Sequence, residues 1–197
     1  MSEAGTLSDD RLLQAKGHHY TLRALLAGNA RWERTFAGGS FATIYLAPYN
    51  YHRIHMALAG ELRESFYVPG RLFSVNRTTA NLVPGLFSRN ERVFCGFDGG
   101  GTPWAIILVG ALNVGSMATV WHGDVTPRKH REVTALPVTD LLAPVTLPKG
   151  AEMARFNMGS TIILLLPPGA GAWNATLTAG RTLRMGERIG SLQGWTA

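Results

Sequence analysis

The sequence predicts a mostly β fold of the α+β class. We expect a single domain over residues 1–197, with packed antiparallel sheets and a few short helices. The 23 glycines and 10 prolines interrupt the chain at short intervals, which favours strands joined by turns over long helices. Hydrophobic residues make up 46% of the chain and charged residues 16%, so these 197 residues can fill a core of their own.

One early segment is predicted to be helical, and strands follow it. Residues 8–10 (Ser-Asp-Asp) can cap a turn, and the leucine-rich segment 20–26 reads as a helix that ends at Gly28 and Asn29. Residues 98–101 (Asp-Gly-Gly-Gly) read as a hairpin loop, whereas residues 127–150 hold four prolines and predict a long irregular connection. Apolar, aromatic and β-branched runs predict strands at residues 41–46, 92–97, 104–109, 117–121 and 161–166.

Charge and composition exclude several classes of protein. No apolar run reaches the roughly 18 residues that cross a bilayer, and the acidic N-terminus does not resemble a signal peptide. The single cysteine, Cys95, excludes a disulfide framework within the chain and a cysteine-rich zinc site. The net charge of +6 suits either a generally basic surface or an anionic membrane. The basic residues are mostly scattered without interleaved aromatics, so we predict no nucleic-acid partner.

Two histidines, His52 and His55, stand three residues apart. If the backbone turns, they can converge as a metal pair or as an acid–base pair. The alternative is two half-exposed histidines at the end of a strand. Neither a cysteine nor a carboxylate follows at the spacing that metallohydrolases use, so we predict no metal site, and a histidine-metal hydrolase is the weaker alternative.

The tripeptide Gly159-Ser160-Thr161 runs directly into an apolar strand. In a strained turn, a serine hydroxyl can attack the preceding carbonyl, and glycine offers little steric obstruction. The alternative is an ordinary turn before a strand. A third group of polar residues, within 72–76 and 89–92 and at Asn81, fits either a lining for a polar head group or a hydrogen-bonded loop.

Several blocks occur together in a fixed order, and the series resembles bacterial phosphatidylserine decarboxylase, a pyruvoyl-dependent proenzyme family. The similarity runs from about residue 7 to residue 168. The blocks are Leu13-Gln-Ala-Lys-Gly-His18, Tyr51-His-Arg-Ile-His-Met56, Leu72-Phe-Ser-Val-Asn76, Leu86-Phe-Ser-Arg-Asn-Glu-Arg-Val93, Ile107-Leu-Val-Gly-Ala111 and Gly159-Ser-Thr161.

The resemblance implies self-cleavage between Gly159 and Ser160, which would give a beta chain of residues 1–159 and an alpha chain of residues 160–197. Ser160 would become a covalent pyruvoyl group, which forms a Schiff base with phosphatidylserine and accepts electrons as carbon dioxide leaves, so that phosphatidylethanolamine is the product. By matching to the family, His55 is the charge-relay histidine that takes the Ser160 proton, and His52 assists decarboxylation. The implied partners are phosphatidylserine in an anionic membrane, the chain's own cleaved piece and a second copy in a homodimer. The implied place is peripheral, on the cytoplasmic face of the cell membrane.

Two departures from the family pattern affect this interpretation. Ala57 and Ala59 replace residues that shape the turn after the histidine block, and we expect a local effect. The family's aspartate that orients the charge-relay histidine matches a position just ahead of Met1, so we expect an N-terminally truncated decarboxylase with slow maturation. The alternative is a non-catalytic or poorly maturing remnant of the family that binds lipid head groups or a partner chain.

Overall fold

The described part of the chain is mostly antiparallel β structure, which confirms the predicted fold class. The computed structural model describes residues 2–7, 11–15, 18–112, 116–126, 132–137, 143–157 and 160–193. The capping turn predicted at residues 8–10 lies outside these ranges, as does Gly159 of the predicted cleavage site.

The larger sheet contains the central strands that the sequence predicts. Its apolar strands are buried because the chain covers both of their faces. In spatial order its strands are β1 (Ser2–Thr6), β4 (Ser40–Leu46), β14 (Ser160–Leu166), β8 (Thr102–Val109), β7 (Arg92–Gly99), β6 (Gly60–Val68) and β11 (Thr134–Ala135), and β12 (Thr146–Leu147) also pairs with β6.

A second sheet and two small ribbons complete the β structure of the described ranges. The second sheet has the order β10 (Gly123–Asp124), β9 (Met117–Thr119), β13 (Glu152–Phe156) and β5 (Arg53–His55). The ribbons pair β2 (Arg11–Ala15) with β3 (His18–Thr21), and β15 (Gly171–Trp173) with β16 (Gly190–Leu192). Because β13 and β14 are consecutive in the chain but belong to different sheets, their connection joins the two sheets.

Four short helices lie within the described ranges: α1 (Leu22–Leu25), α2 (Ala30–Phe36), α3 (Arg77–Leu82) and α4 (Leu86–Arg89). The prediction of a helix over residues 20–26 was too long, because Tyr20 belongs to β3 and the Thr21 side chain caps α1. Asn29, predicted to end a helix, instead begins α2 by accepting a hydrogen bond from Trp32 N.

Three further boundaries differ from the prediction. The strand predicted at residues 117–121 ends at Thr119. The hairpin loop is tighter than predicted, because β7 runs to Gly99 and the turn falls at Gly100 and Gly101, with φ of 63° and 93°. The region 127–150 is not wholly irregular, because its described parts contribute β11 and β12 to the edge of β6.

Large aromatic side chains fill the core beneath the main sheet. Phe97 stacks on Trp104 with ring centroids 4.7 Å apart, and Trp32 of α2 packs on Phe94 at 5.1 Å. Gly96 is required beneath Trp32, because a Cβ there would lie 2.3 Å from the indole Cζ2. This packing anchors α2 on β7.

Candidate functional site

Ser160, the predicted nucleophile, is the first residue of β14, an interior strand of the main sheet. On one side its register partner is Leu46 at the end of β4. On the other side β14 pairs with β8, beginning at Thr161 opposite Val109. Gly159 and the side chain of Ser160 lie outside the described part of the chain, so the description of the site rests on the backbone of Ser160 and on its neighbours.

The segment before Ser160 is held by hydrogen bonds between Asn157 and Ser116. Asn157 N donates to Ser116 O at 3.1 Å, and the Asn157 side-chain amide donates to Ser116 Oγ. Only Met158 and Gly159 separate Asn157 from Ser160 in the sequence. A two-residue link therefore connects a fixed point at the end of β13 with a fixed point at the start of β14.

His52 is hydrogen-bonded to the segment that precedes Ser160 in the sequence and to the segment that follows β4, the strand paired with Ser160. Its carbonyl oxygen accepts from Phe156 N at 3.0 Å, four residues before Ser160. Its ring Nε2 donates to Pro48 O at 2.9 Å, two residues after the register partner Leu46. Because a carbonyl oxygen only accepts, Nε2 carries the hydrogen. The other ring nitrogen, Nδ1, is buried and has no hydrogen-bond partner among the described residues.

Both ring nitrogens of His55 have partners. Nδ1 donates to Gly150 O at 2.7 Å, and Nε2 accepts from Tyr51 Oη at 2.8 Å. The Tyr51 and His55 rings also stack, with centroids 5.7 Å apart. The carbonyl acceptor assigns the hydrogen to Nδ1, so the lone pair that can accept a proton is on Nε2 and faces Tyr51.

The two histidines stand at different levels along β13. His55 is opposite Glu152, and continuing the register of Arg53 opposite Arg155 sets His52 opposite Phe156. Four residues of an unbroken strand would span about 13 Å, and the bulge between Glu152 and Ala154 shortens this separation. His52 therefore stands level with the end of β13, and His55 stands level with its beginning.

An exposed ion pair lies between the two histidines. Arg53 Nη1 donates to both carboxylate oxygens of Glu152, at 2.9 and 2.7 Å. These hydrogen bonds raise the pKa of Arg53. The pair joins β5 to β13 and so reinforces the register that fixes where the two rings stand.

The polar region around residues 72–76 forms a hydrogen-bonded loop, which agrees with one of the two predicted alternatives. The Asn90 side chain accepts from Phe73 N at 3.0 Å and donates to Phe73 O at 2.8 Å. The same amide donates to Gly110 O at 2.8 Å, just after β8 ends. Asn90 is fully buried, and these three bonds hold the loop against the end of β8.

No three His, Cys, Asp or Glu side chains come together in the described ranges as a group that could hold a metal ion. No helix within those ranges has both the length and the apolar character needed to cross a membrane.

Sequence reasoning missed Tyr51, Gly150 and the Asn157–Ser116 fastening. Tyr51 stands inside the histidine block, four residues before His55, so its proximity was an available signal. Gly150 acts through its backbone and lies 95 residues from His55, so no residue-type pattern reports it. The Asn157–Ser116 bond likewise spans 41 residues.

Comparison with known proteins gives one family. The sequence profile of the phosphatidylserine decarboxylase family matches residues 1–191. The chain is 51% identical over 193 residues to the phosphatidylserine decarboxylase proenzyme of Ectopseudomonas mendocina (strain ymp), covering 98% of this chain and 68% of that protein. It is 52% identical over 190 residues to the proenzyme of Pseudomonas fluorescens, covering 96% of this chain and 66% of that protein. It is 53% identical over 187 residues to the proenzyme of Pseudomonas aeruginosa (strain LESB58), covering 95% of this chain and 65% of that protein. The chain thus spans about two thirds of the length of these curated relatives.

Proposed function

The chain belongs to the phosphatidylserine decarboxylase family, and we propose that it cuts itself between Gly159 and Ser160 and then converts phosphatidylserine to phosphatidylethanolamine. One observation carries the proposal. The backbone of Ser160 begins an interior strand after a two-residue link from the fixed Asn157. His52 is bonded to Phe156, four residues before Ser160, and to Pro48, just beyond the strand β4 that pairs with Ser160.

The first step of the proposed self-cleavage is an acyl shift. The Ser160 hydroxyl oxygen attacks the Gly159 carbonyl carbon, and the hydroxyl proton passes to Nε2 of His55. The peptide C–N bond breaks, an ester forms between residues 159 and 160, and the amino group of residue 160 takes up a proton. The Nδ1–H bond to Gly150 O supports this role, because it leaves the lone pair on Nε2.

The second step releases the two pieces. Loss of the Cα proton of residue 160 breaks its Cβ–O bond, so residues 1–159 leave with a C-terminal carboxylate. The dehydroalanine left on residue 160 takes up water and loses ammonia, which leaves a ketone at the start of residues 160–197. Strand pairing on both edges of β14 supports retention of this piece, because β4 and β8 hold Ser160–Leu166 between them.

The surroundings of Ser160 fit a pyruvoyl group at this position. His52 contributes a buried ring nitrogen, Nδ1, that lacks a partner among the described residues, next to the segments that flank Ser160. When present, the pyruvoyl group supplies an electrophilic ketone for the head-group amine and a sink for the electron pair left as carbon dioxide departs. We propose that Nδ1 of His52, which holds the lone pair of the neutral ring, takes up a proton from water and passes it to the substrate carbon.

The proposed partners follow from the substrate. Phosphatidylserine is an anionic lipid, and a chain of net charge +6 is attracted to the surface of such a membrane. We therefore propose peripheral association with the cytoplasmic face of the cell membrane. From the family resemblance we also propose assembly as a homodimer.

Release of carbon dioxide tests the proposed activity. The purified protein is incubated with vesicles whose phosphatidylserine carries a labelled head-group carboxyl, and the released label is counted. We expect release by the wild type and none by Ser160→Ala, because alanine has no hydroxyl from which the ketone can form. Equal release by both proteins, or release by neither, would contradict the proposal.

A further inference from the structure

Glu91 is a buried carboxyl that the proposed function does not use. It stands directly before β7 and is 9% exposed. Its Oε2 accepts a hydrogen bond from Tyr67 Oη of β6 at 3.0 Å. Burial raises the pKa of Glu91, and the Tyr67 bond opposes that shift.

Strand pairing aligns Glu91 with Ser160. Arg92 is opposite Val109 between β7 and β8, and Val109 is opposite Thr161 between β8 and β14. Continuing both registers by one position sets Glu91, Gly110 and Ser160 in one row across three adjacent strands. Glu91 and Gly110 are directly hydrogen-bonded in this row, because Gly110 N donates to Glu91 O at 2.9 Å.

Gly110 leaves room for the Glu91 carboxyl within this row. A Cβ on Gly110 would lie 3.0 Å from Glu91 Cγ and 3.1 Å from its Oε1. The carboxyl thus occupies the place that a side chain at position 110 would fill. Neighbouring strands are about 4.8 Å apart, so this place adjoins the position of Ser160. The bond from Asn90 to Gly110 O holds the row in place.

We propose that Glu91, in its protonated form, donates a hydrogen bond to the oxygen that becomes negative when Ser160 attacks the Gly159 carbonyl. This inference rests on the proposed self-cleavage and assigns a further residue to it. A neutral carboxylic acid in an apolar site is a strong donor to developing negative charge, whereas an ionised carboxylate would repel it. The Tyr67 bond to Oε2 leaves Oε1, the oxygen beside Gly110, to carry the hydrogen.

The charged and titratable groups around Glu91 are consistent with a neutral acid. Tyr67 faces the carboxyl from β6. The neighbouring Arg92 directs its guanidinium to backbone carbonyls, including those of Leu25 and Ala24, and not to Glu91. Arg71 meets Glu91 through its backbone, by a bond from Glu91 N to Arg71 O, and its side chain is exposed. Gly110 and the backbone of Ser160, on the other strands of the row, add no charge.

The pH dependence of self-cleavage tests this role. The cut fraction is followed by denaturing gel, with hydroxylamine added in parallel to trap the ester, across acidic to alkaline pH. We expect the ratio of wild-type to Glu91→Gln cleavage to fall as pH rises through the pKa of Glu91, because only the wild type loses its donor. Glu91→Gln keeps a donor that cannot ionise, so its own pH profile should lack the fall that ionisation of Glu91 causes in the wild type. Glu91→Leu should be slower than the wild type by about 10²–10³-fold at pH values below the pKa of Glu91, where the wild type keeps its donor.

Glu61→Gln is the matched control, because Glu61 is paired with Arg63 on β6, and it should keep the wild-type profile. The inference is wrong, and the proposed function stands, if the wild type is cut but Glu91→Leu is cut equally fast below the pKa of Glu91. It is also wrong if the ratio of wild-type to Glu91→Gln cleavage does not change with pH. If Glu91→Leu does not fold, the comparison of Glu91→Gln with the wild type decides alone. If the wild type stays whole at every pH, with and without hydroxylamine, both the proposed function and this inference are wrong.

Discussion

His55 Nδ1 donates a hydrogen bond to the carbonyl oxygen of Gly150 at 2.7 Å. This bond fixes which nitrogen of the ring holds the hydrogen, a task that an aspartate performs in a serine–histidine–aspartate triad. A neutral carbonyl supports the tautomer and the orientation of the ring. It stabilises an imidazolium less than a carboxylate would, because it carries no full charge.

In the proposed self-cleavage, Tyr51 would compete with Ser160 for the lone pair of His55. Its hydroxyl occupies Nε2 at 2.8 Å, although the tyrosine is 51% exposed. Tyr51→Phe should therefore keep the stacked ring, free Nε2 and speed self-cleavage by about 2–10-fold, the value of one modest hydrogen bond. The rate is measured by gel, and nitrogen NMR of the His55 ring should still report hydrogen on Nδ1. Slower cleavage would instead indicate that Tyr51 passes the proton from Ser160 to His55.

The two histidines should fail at different steps. His55→Ala should leave the chain whole, whereas His52→Ala should be cut but should release carbon dioxide about 10²–10⁴-fold more slowly. Gel and label release are measured on the same samples. His122→Ala serves as the control, since His122 Nδ1 bonds to Pro137 O and has no part in the site. Full processing and full activity in both variants would show that neither histidine has the proposed role and that both are ordinary, partly exposed residues.

The Asn157 fastening should matter for the rate of cleavage. Asn157→Ala removes the side-chain bond to Ser116 and loosens the end of β13, so cleavage should slow by about 10–100-fold. Asn174→Ala is a matched control, because it removes an asparagine bond to Arg188 O near β16. Equal rates in the two variants would show that the fixed end of β13 does not position the scissile bond.

Arg92 should contribute to folding. Its buried guanidinium donates to four carbonyl oxygens, those of Ala24, Leu25, Ser88 and Asn90. Burial lowers the pKa of Arg92 to about 10, so the group is still protonated at neutral pH. Arg92→Lys cannot reach all four acceptors and should lower the free energy of unfolding by about 3 kcal/mol. Urea denaturation measures the loss against the exposed Arg63→Lys, and equal stability of the two variants would contradict this role.

The sequence predicts the apolar strands and the reactive tripeptide, but not the strands with polar faces. β4, β7, β8 and β14 carry continuous aromatic or β-branched runs and were confirmed. β6 and β13 were missed because Glu61, Arg63, Glu152 and Arg155 interrupt their apolar pattern on the more exposed face. Helix α2 was missed because Asn29 reads equally well as the end of one helix and the cap of the next.

The parts of the site that escaped prediction depend on backbone contacts and long-range register. The acceptor for His55 is a carbonyl, and the Glu91 row depends on how three strands align. The signal at Gly110 was available only as a glycine directly after a buried strand, which marks close approach without naming the partner. The roles predicted for His52, His55 and Ser160 remain predictions that the variants above test.

The mass of the smaller piece tests the central claim most directly. The purified chain is allowed to mature, denatured and weighed by mass spectrometry, with Ser160→Ala in parallel. We predict two pieces, residues 1–159 and residues 160–197. The second should be lighter by one ammonia than a peptide beginning with serine, because its first residue is a pyruvoyl group. The Ser160→Ala chain should stay whole. An uncut wild type, or a residues 160–197 piece that still begins with serine, would contradict the account.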